Sequence, residues 1–214
     1  MPHGQVPNVT DALAPYVHRY LPPQGEDQRT LLLLHGTGGD ENDLIQLGQM
    51  LVPDAGLLSP RGTVLENGAA RFFRRLAEGV FDLEDLRART KDLIGFIAAA
   101  SANYAFDPAR VVAVGFSNGA NIASSILLTS PATLSAAVLF RPMVPFVPSE
   151  RVALAGKRVF IGAGEDDPIV PRDHPYRLAE LLQLCGADVK TEWQPGGHAL
   201  TRADVSKAYE WLEE

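Results

Sequence analysis

The chain has 214 residues, 46% hydrophobic and 21% charged, a composition that supports one packed domain over residues 1–214 and excludes a disordered or fibrous protein. Nineteen Lys and Arg against 26 Asp and Glu leave a net charge of −7, the wrong sign for a protein that grips a nucleic-acid backbone, so no nucleic-acid partner is expected. The single cysteine, Cys185, allows neither an intrachain disulfide nor a cysteine-built zinc site, and the expectation is a cytoplasmic protein.

Met1 to Asp11 lacks the basic start and apolar stretch of a secretory signal. Thr30 to Leu34 is an unbroken apolar run that stops at His35-Gly36-Thr37-Gly38-Gly39, which reads as a strand buried on both faces and ended by a glycine-rich turn. A helical pattern begins at Asp43 and runs through Leu44, Leu47, Met50 and Leu51, and Gly56 to Ser59 offers a second strand closed by Pro60-Arg61-Gly62. Asp82 can cap a helix whose apolar positions Leu86, Leu93, Ile94, Ile97 and Ala98 recur near a helical period. Its most apolar part, Leu93 to Ala102, falls short of the roughly 20 residues that cross a bilayer, so no membrane span is expected.

Val111 to Val114 makes the next buried strand, followed by Gly115-Phe116-Ser117-Asn118-Gly119 and a helix to about Thr129. Ala136 to Phe140 and Arg158 to Gly162 are further strands, each followed by a proline-bearing loop, the sort of place where sites collect. Tyr176 to Leu184 reads as a helix and Val189 to Trp193 as the last strand. Thr201 to Leu212 closes the chain as a helix, with Thr201 as cap and Asp204 at the third helical position. Strands alternating with helices throughout predict an α/β protein: a three-layer α/β/α sandwich with a mostly parallel sheet and ligands beyond the carboxyl ends of its strands.

Gly115-Phe116-Ser117-Asn118-Gly119 fits G-x-S-x-G between a strand and a helix, the context in which a strained turn holds a serine outward as a nucleophile. Small residues two before and two after the serine let neighbouring backbone approach. A serine hydroxyl needs a base at neutral pH, and histidine suits that role. Of the five histidines, His3 and His18 precede the first core strand, His35 ends it, and His174 lies before a helix. His198, beside Gly196-Gly197 between the last strand and last helix, is the one expected to meet Ser117. The acid that orients it should come from Glu165-Asp166-Asp167-Pro168. Asp167 is favoured because the following proline helps fix the turn, with Asp166 and Glu165 as alternatives. The backbone N–H groups of Asn118 and Thr37 are the expected oxyanion donors. Candidate walls of the substrate pocket are the apolar side chains Phe72, Phe73, Phe81, Met143, Phe146 and Val170. No metal centre is expected, since no pair of histidines has helical spacing.

Through Leu31-Leu32-Leu33-Leu34-His35-Gly36-Thr37-Gly38-Gly39, Gly115-Phe116-Ser117-Asn118-Gly119-Ala120, Asp167-Pro168-Ile169-Val170-Pro171 and Gly196-Gly197-His198, the chain resembles the phospholipase/carboxylesterase family of small α/β-hydrolases. Arg71-Phe72-Phe73-Arg74-Arg75-Leu76 and Glu78-Gly79-Val80-Phe81-Asp82 look like its bacterial subgroup associated with hydroquinone stress. The resemblance implies an α/β-hydrolase fold, a carboxylic-ester substrate, no cofactor and a homodimer; with no segment long enough for a large cap domain, esters of small to medium size are expected. It implies Ser117, Asp167 and His198 as a triad, with the Thr37 and Asn118 amides as oxyanion hole. The dienelactone hydrolases are similar in layout but place a cysteine at the elbow, where this chain has Ser117. A sensor protein that binds an aromatic quinone, or an acyltransferase or thioesterase using the same serine, is an alternative use of this layout.

Overall fold

The computed structural model describes residues 12–214, so the expectations for Met1 to Asp11, His3 included, lie outside the described residues. Eleven strands form in chain order among them: β1 His18–Leu21, β2 Thr30–Leu34, β3 Gly56–Pro60, β4 Val64–Glu66, β5 Ala69–Arg71, β6 Arg75–Ala77, β7 Val80–Phe81, β8 Val111–Phe116, β9 Ala136–Phe140, β10 Arg158–Gly164 and β11 Asp188–Gln194. The helices are α1 Ile45–Leu51, α2 Leu83–Tyr104, α3 Asn118–Thr129, α4 Asp173–Leu184 and α5 Arg202–Glu213.

Seven strands make the main sheet in the order β1-β3-β2-β8-β9-β10-β11. All neighbours are parallel except β1, which runs antiparallel to β3 at one edge. The apolar run of β2 explains its central place: Leu32 and Leu34 join one core and Leu31 and Leu33 the other, because successive side chains leave a strand on opposite faces. The first core takes Leu86, Leu93, Phe96 and Ile97 of α2, Ile122 and Ile126 of α3, and Leu178 and Leu182 of α4. The second takes Leu47 and Leu51 of α1 and Ala208, Trp211 and Leu212 of α5. Helices therefore cover both faces, giving the expected α/β/α layers of an α/β-hydrolase fold.

Two caps form as the sequence implied. The Asp82 side chain accepts the Asp85 N–H at 3.1 Å at the start of α2. Thr201 and Asp204 exchange a reciprocal capping box at the start of α5. Some boundaries differ from the expected ones. α1 starts at Ile45 rather than Asp43, and α4 starts at Asp173 rather than Tyr176, since Pro175 is tolerated in a first turn that has no N–H bonds to lose. The stretch between β3 and α2 is built as two hairpins, β4–β5 and β6–β7. In the first, Asn67 and Gly68 both have positive φ, 52° and 84°, as a tight two-residue hairpin turn requires.

The connections set where a site can form. From β2 the chain moves to β3 on one side, then crosses back to place β8, β9, β10 and β11 successively on the other. The switch falls between β2 and β8, and the crevice beyond their carboxyl ends is where an open α/β sheet binds ligands.

Candidate active site

Ser117 stands where β8 turns into α3, at φ 52° and ψ −113°, in the left-handed half of backbone space that a side chain other than glycine rarely enters. Its N–H donates to the Phe140 carbonyl at 2.9 Å. The flanking glycines are needed for close approach. A Cβ on Gly115 would lie 2.7 Å from the Ala120 backbone, and one on Gly119 would run into the carbonyl of Leu34. The turn thus presents the Ser117 hydroxyl at the amino end of α3.

His198 comes to this hydroxyl from the loop after β11. Its Nε2 lies 2.9 Å from Ser117 Oγ and its Nδ1 2.8 Å from Asp167 Oδ2. A carboxylate only accepts, so Nδ1 carries the proton that it donates to Asp167, and Nε2 is left to accept from the serine O–H. The Asp167 side chain is 2% exposed, and its other oxygen accepts the N–H groups of Ile169 at 2.8 Å and Val170 at 3.0 Å. Asp166 and Glu165 are exposed and lend their own backbone N–H groups to the Gly196 and Gln194 carbonyls. Of the three adjacent acids, Asp167 is the one against the imidazole.

Ser117 and His198 open onto a cavity of about 320 Å³. Thr37 and Asn118 line it, and Asn118 is the first residue of α3, where helix N–H groups have no partner within the helix. The Asn118 side chain is buried. Its Oδ1 accepts the Phe72 N–H at 2.8 Å, and its Nδ2 has no hydrogen-bond partner among the described residues. Phe81 and Met143 line the cavity. The other apolar candidates are placed elsewhere: Phe72 and Phe73 lie in the core, and Phe146 packs against that core beneath Arg87, whose guanidinium is 5.5 Å from its ring. Val170 is buried in the acid loop beside Asp167. Large apolar side chains are drawn to the interior before they are left on a cavity wall.

Polar residues that were not among the pocket candidates complete the wall, Arg71, Arg75 and Asn121 among them. Arg71 is nearly buried: it donates from Nε to Phe73 O at 3.1 Å and from Nη1 to the Thr37 hydroxyl, and Glu66 lies 3.3 Å away. Burial holds its pKa below the ordinary arginine value. Arg71 thus ties the β4–β5 hairpin to the loop that carries Thr37. His35 braces that loop from behind. Its Nδ1 donates to Gly36 O at 2.6 Å and its Nε2 accepts the Gly62 N–H at 2.9 Å; burial pushes its pKa down. His174 accepts the Val144 N–H through Nδ1 at 3.1 Å, and His18 bonds Tyr104, so neither joins Ser117. Among the described residues no group of three or more His, Cys, Asp or Glu side chains is placed to hold a metal ion, and no helix is long and apolar enough to cross a membrane.

Residues 69–211 match the dienelactone hydrolase family, a stretch that takes in Ser117, Asp167 and His198 but not Thr37. MhqD of Bacillus subtilis (strain 168) is 47% identical over 196 residues, 92% of this chain and 98% of that protein. A Bacillus cereus carboxylesterase of known structure is 46% identical, with a TM-score of 0.92 over 95% of this chain and 96% of that one. A carboxylesterase from Mesorhizobium loti is 31% identical, with a TM-score of 0.88 over 93% and 95% of the two chains. The likeness to carboxylesterases read from the sequence is the one these structures carry. The family match adds that the set of proteins distinguished above by a cysteine at the elbow extends to this serine-bearing chain. The protein is a hydrolase, and the chain belongs to the dienelactone hydrolase family.

Proposed function

We propose that the protein hydrolyses small to medium carboxylic esters through an acyl-enzyme on Ser117. His198 Nε2 takes the Ser117 proton as Oγ attacks the ester carbonyl, and the tetrahedral oxyanion is held by the Thr37 and Asn118 N–H groups. His198 then returns the proton to the departing alkoxide, so an alcohol leaves and Ser117 carries the acyl group. Water enters, gives its proton to the same Nε2 and adds to the acyl carbonyl; collapse releases the carboxylic acid and restores the serine. Asp167 keeps the ring in the Nδ1–H tautomer and stabilises the imidazolium at both stages.

The observation that carries this reading is the unbroken hydrogen-bond chain from Ser117 Oγ through His198 to Asp167, at 2.9 and 2.8 Å, opening onto a cavity rather than onto packed core. At about 320 Å³ that cavity is at the small end of ligand sites, which supports short acyl and alcohol groups over long lipid chains. Labelling with a fluorophosphonate followed by peptide mapping should tag Ser117, and S117A should lose both the label and the hydrolysis of a p-nitrophenyl acetate-to-octanoate series. A folded wild-type protein that neither labels nor turns over any ester of that series would falsify the assignment.

A further inference from the structure

Phe140 and Arg141 are consecutive residues at the carboxyl end of β9, and between them they touch both halves of the site. The Phe140 carbonyl holds the Ser117 N–H. The Arg141 side chain reaches the other way, into the loop that carries His198. Its Nε donates to Gly197 O at 3.1 Å and its Nη2 to Ala199 O at 3.2 Å, the two carbonyls on either side of His198. Nη1 donates to Gly162 O at 3.1 Å. Two parallel bonds of 2.8 Å run from Nη1 and Nη2 to the two oxygens of Asp204. All five N–H donors of the guanidinium are thereby used, and the two side chains are 1% and 0% exposed.

Asp204 is itself pinned: its Oδ2 accepts the Thr201 N–H and the Thr201 hydroxyl, each at 2.8 Å. Arg141 also takes up a strained backbone, φ 55°, which a side chain other than glycine adopts only where the surroundings impose it. Stability alone does not account for this arrangement, because a buried ion pair is often replaced by apolar side chains without loss. Two of the Arg141 donors, however, close on the backbone on either side of a single residue, His198.

Resting on the ester-hydrolase reading above, we propose that Arg141, anchored by Asp204, is the positioning residue that sets the distance from the His198 imidazole to Ser117. It does so by clamping the carbonyls before and after His198, while the neighbouring Phe140 carbonyl fixes the nucleophile. A lysine cannot substitute, since an ammonium lacks the planar fork that spans Asp204 and two carbonyls at once. Arg141 is not among the residues that line the substrate cavity, so its loss should act on the chemical step and not on ester binding.

R141K tests this, with R141M/D204N beside it. The paired variant leaves no charge buried without its partner, and the amide that replaces the Asp204 carboxylate still offers an oxygen to Thr201, so it carries the same readings if R141K does not fold. Both should lower kcat about 10- to 100-fold, the effect of an ångström-scale misplacement, with KM within about twofold. In proton NMR, the low-field signal of the His198 Nδ1–H bonded to Asp167 should broaden or vanish. Folded variants that keep wild-type kcat and an unchanged signal, losing only thermal stability, overturn the proposal, as does a change confined to KM. Should the wild-type protein fail to hydrolyse esters and to label at Ser117, the ester reading falls instead. The NMR signal alone then decides the clamp: lost in the variants, it stands; retained, it fails.

Discussion

Substituting Gly164 by alanine tests how finely the His198 loop is placed, without touching any group that reacts. Gly164 is the last residue of β10 and pairs with Gln194 of β11, just before the loop that carries His198. A Cβ built there would lie 2.9 Å from Gly196 O, closer still to Gly197 O, and 3.2 Å from Arg141 Nε. Ordinary contact is about 3.5 Å, so relieving the Gly197 O contact makes the loop or the strand yield by about 1 Å. Little nearby can yield cheaply. Gly196 sits at φ 122°, its carbonyl accepts the Asp166 N–H at 3.0 Å, and the Gly197 carbonyl is held by Arg141 at 3.1 Å. Displacement should pass to His198, the next residue. A shift of this size puts the loss in kcat at about 10- to 100-fold, equivalent to about 1.4 to 2.7 kcal/mol on the barrier, while overpacking lowers stability by about 1–3 kcal/mol. The assay is the initial rate on a short p-nitrophenyl ester, per active site counted by fluorophosphonate labelling, with thermal melts alongside. A folded G164A enzyme within twofold of wild-type kcat would show that the loop absorbs the methyl group without moving the imidazole, and would refute the argument.

G95A is the counterpart on α2, where a Cβ would meet no described atom within 4 Å: melts should show equal or up to about 1 kcal/mol greater stability, with unchanged esterase rates. D167N should lower kcat by about 10³- to 10⁴-fold by releasing the imidazole tautomer, whereas D166N and E165Q, exposed side chains, should stay within about twofold; equal losses across the three would remove Asp167 from its role. His35 should make the fold sensitive to mild acid. Because burial holds its folded pKa below the unfolded value, the unfolded chain takes up a proton first. The resulting stability is complete above about pH 6.5 and is lost as pH falls through the folded pKa. Urea midpoints at pH 7.5 and 5 should therefore fall further in wild type than in H35Q, and parallel falls would discount His35.

The parallel core of the fold was legible because each central strand is a continuous apolar run. Thr30–Leu34 and Ala136–Phe140 have the bounds read from the sequence, and both-face burial leaves no polar alternation to confuse them. The strand β1, His18–Leu21, passes unread for the opposite reason: it is a half-buried edge with no run and only four residues. The hairpins between Val64 and Phe81 are two or three residues per strand, mostly half-buried or exposed, and too short to show an alternation. The Asn67-Gly68 pair was the one local signal that could have marked the first of them. These hairpins matter to the site, since they carry Arg71, Arg75 and Phe81 to the cavity. Choosing pocket residues by apolar character alone therefore selected Phe72 and Phe73, which the core claims.

The contrast between Ser117 and Arg141 shows which kind of site information a single sequence holds. Both have left-handed backbone, φ 52° and 55°. At Ser117 the neighbours that the turn demands lie within two residues, so Gly115 and Gly119 record it as a motif. At Arg141 the groups that justify the conformation are Gly162, Gly197, Ala199 and Asp204, supplied by β10, the His198 loop and α5. No spacing in the chain records contacts made across those separations. The choice among Glu165, Asp166 and Asp167 lies between these cases. Pro168 gave a local hint, but what sets Asp167 apart is a carboxylate buried to 2% and fixed by two N–H groups of its own turn. The Ser117 turn is thus written locally because its strain is local. The contacts around the His198 loop depend on how β9, β10 and α5 pack, and they become visible only once these are packed.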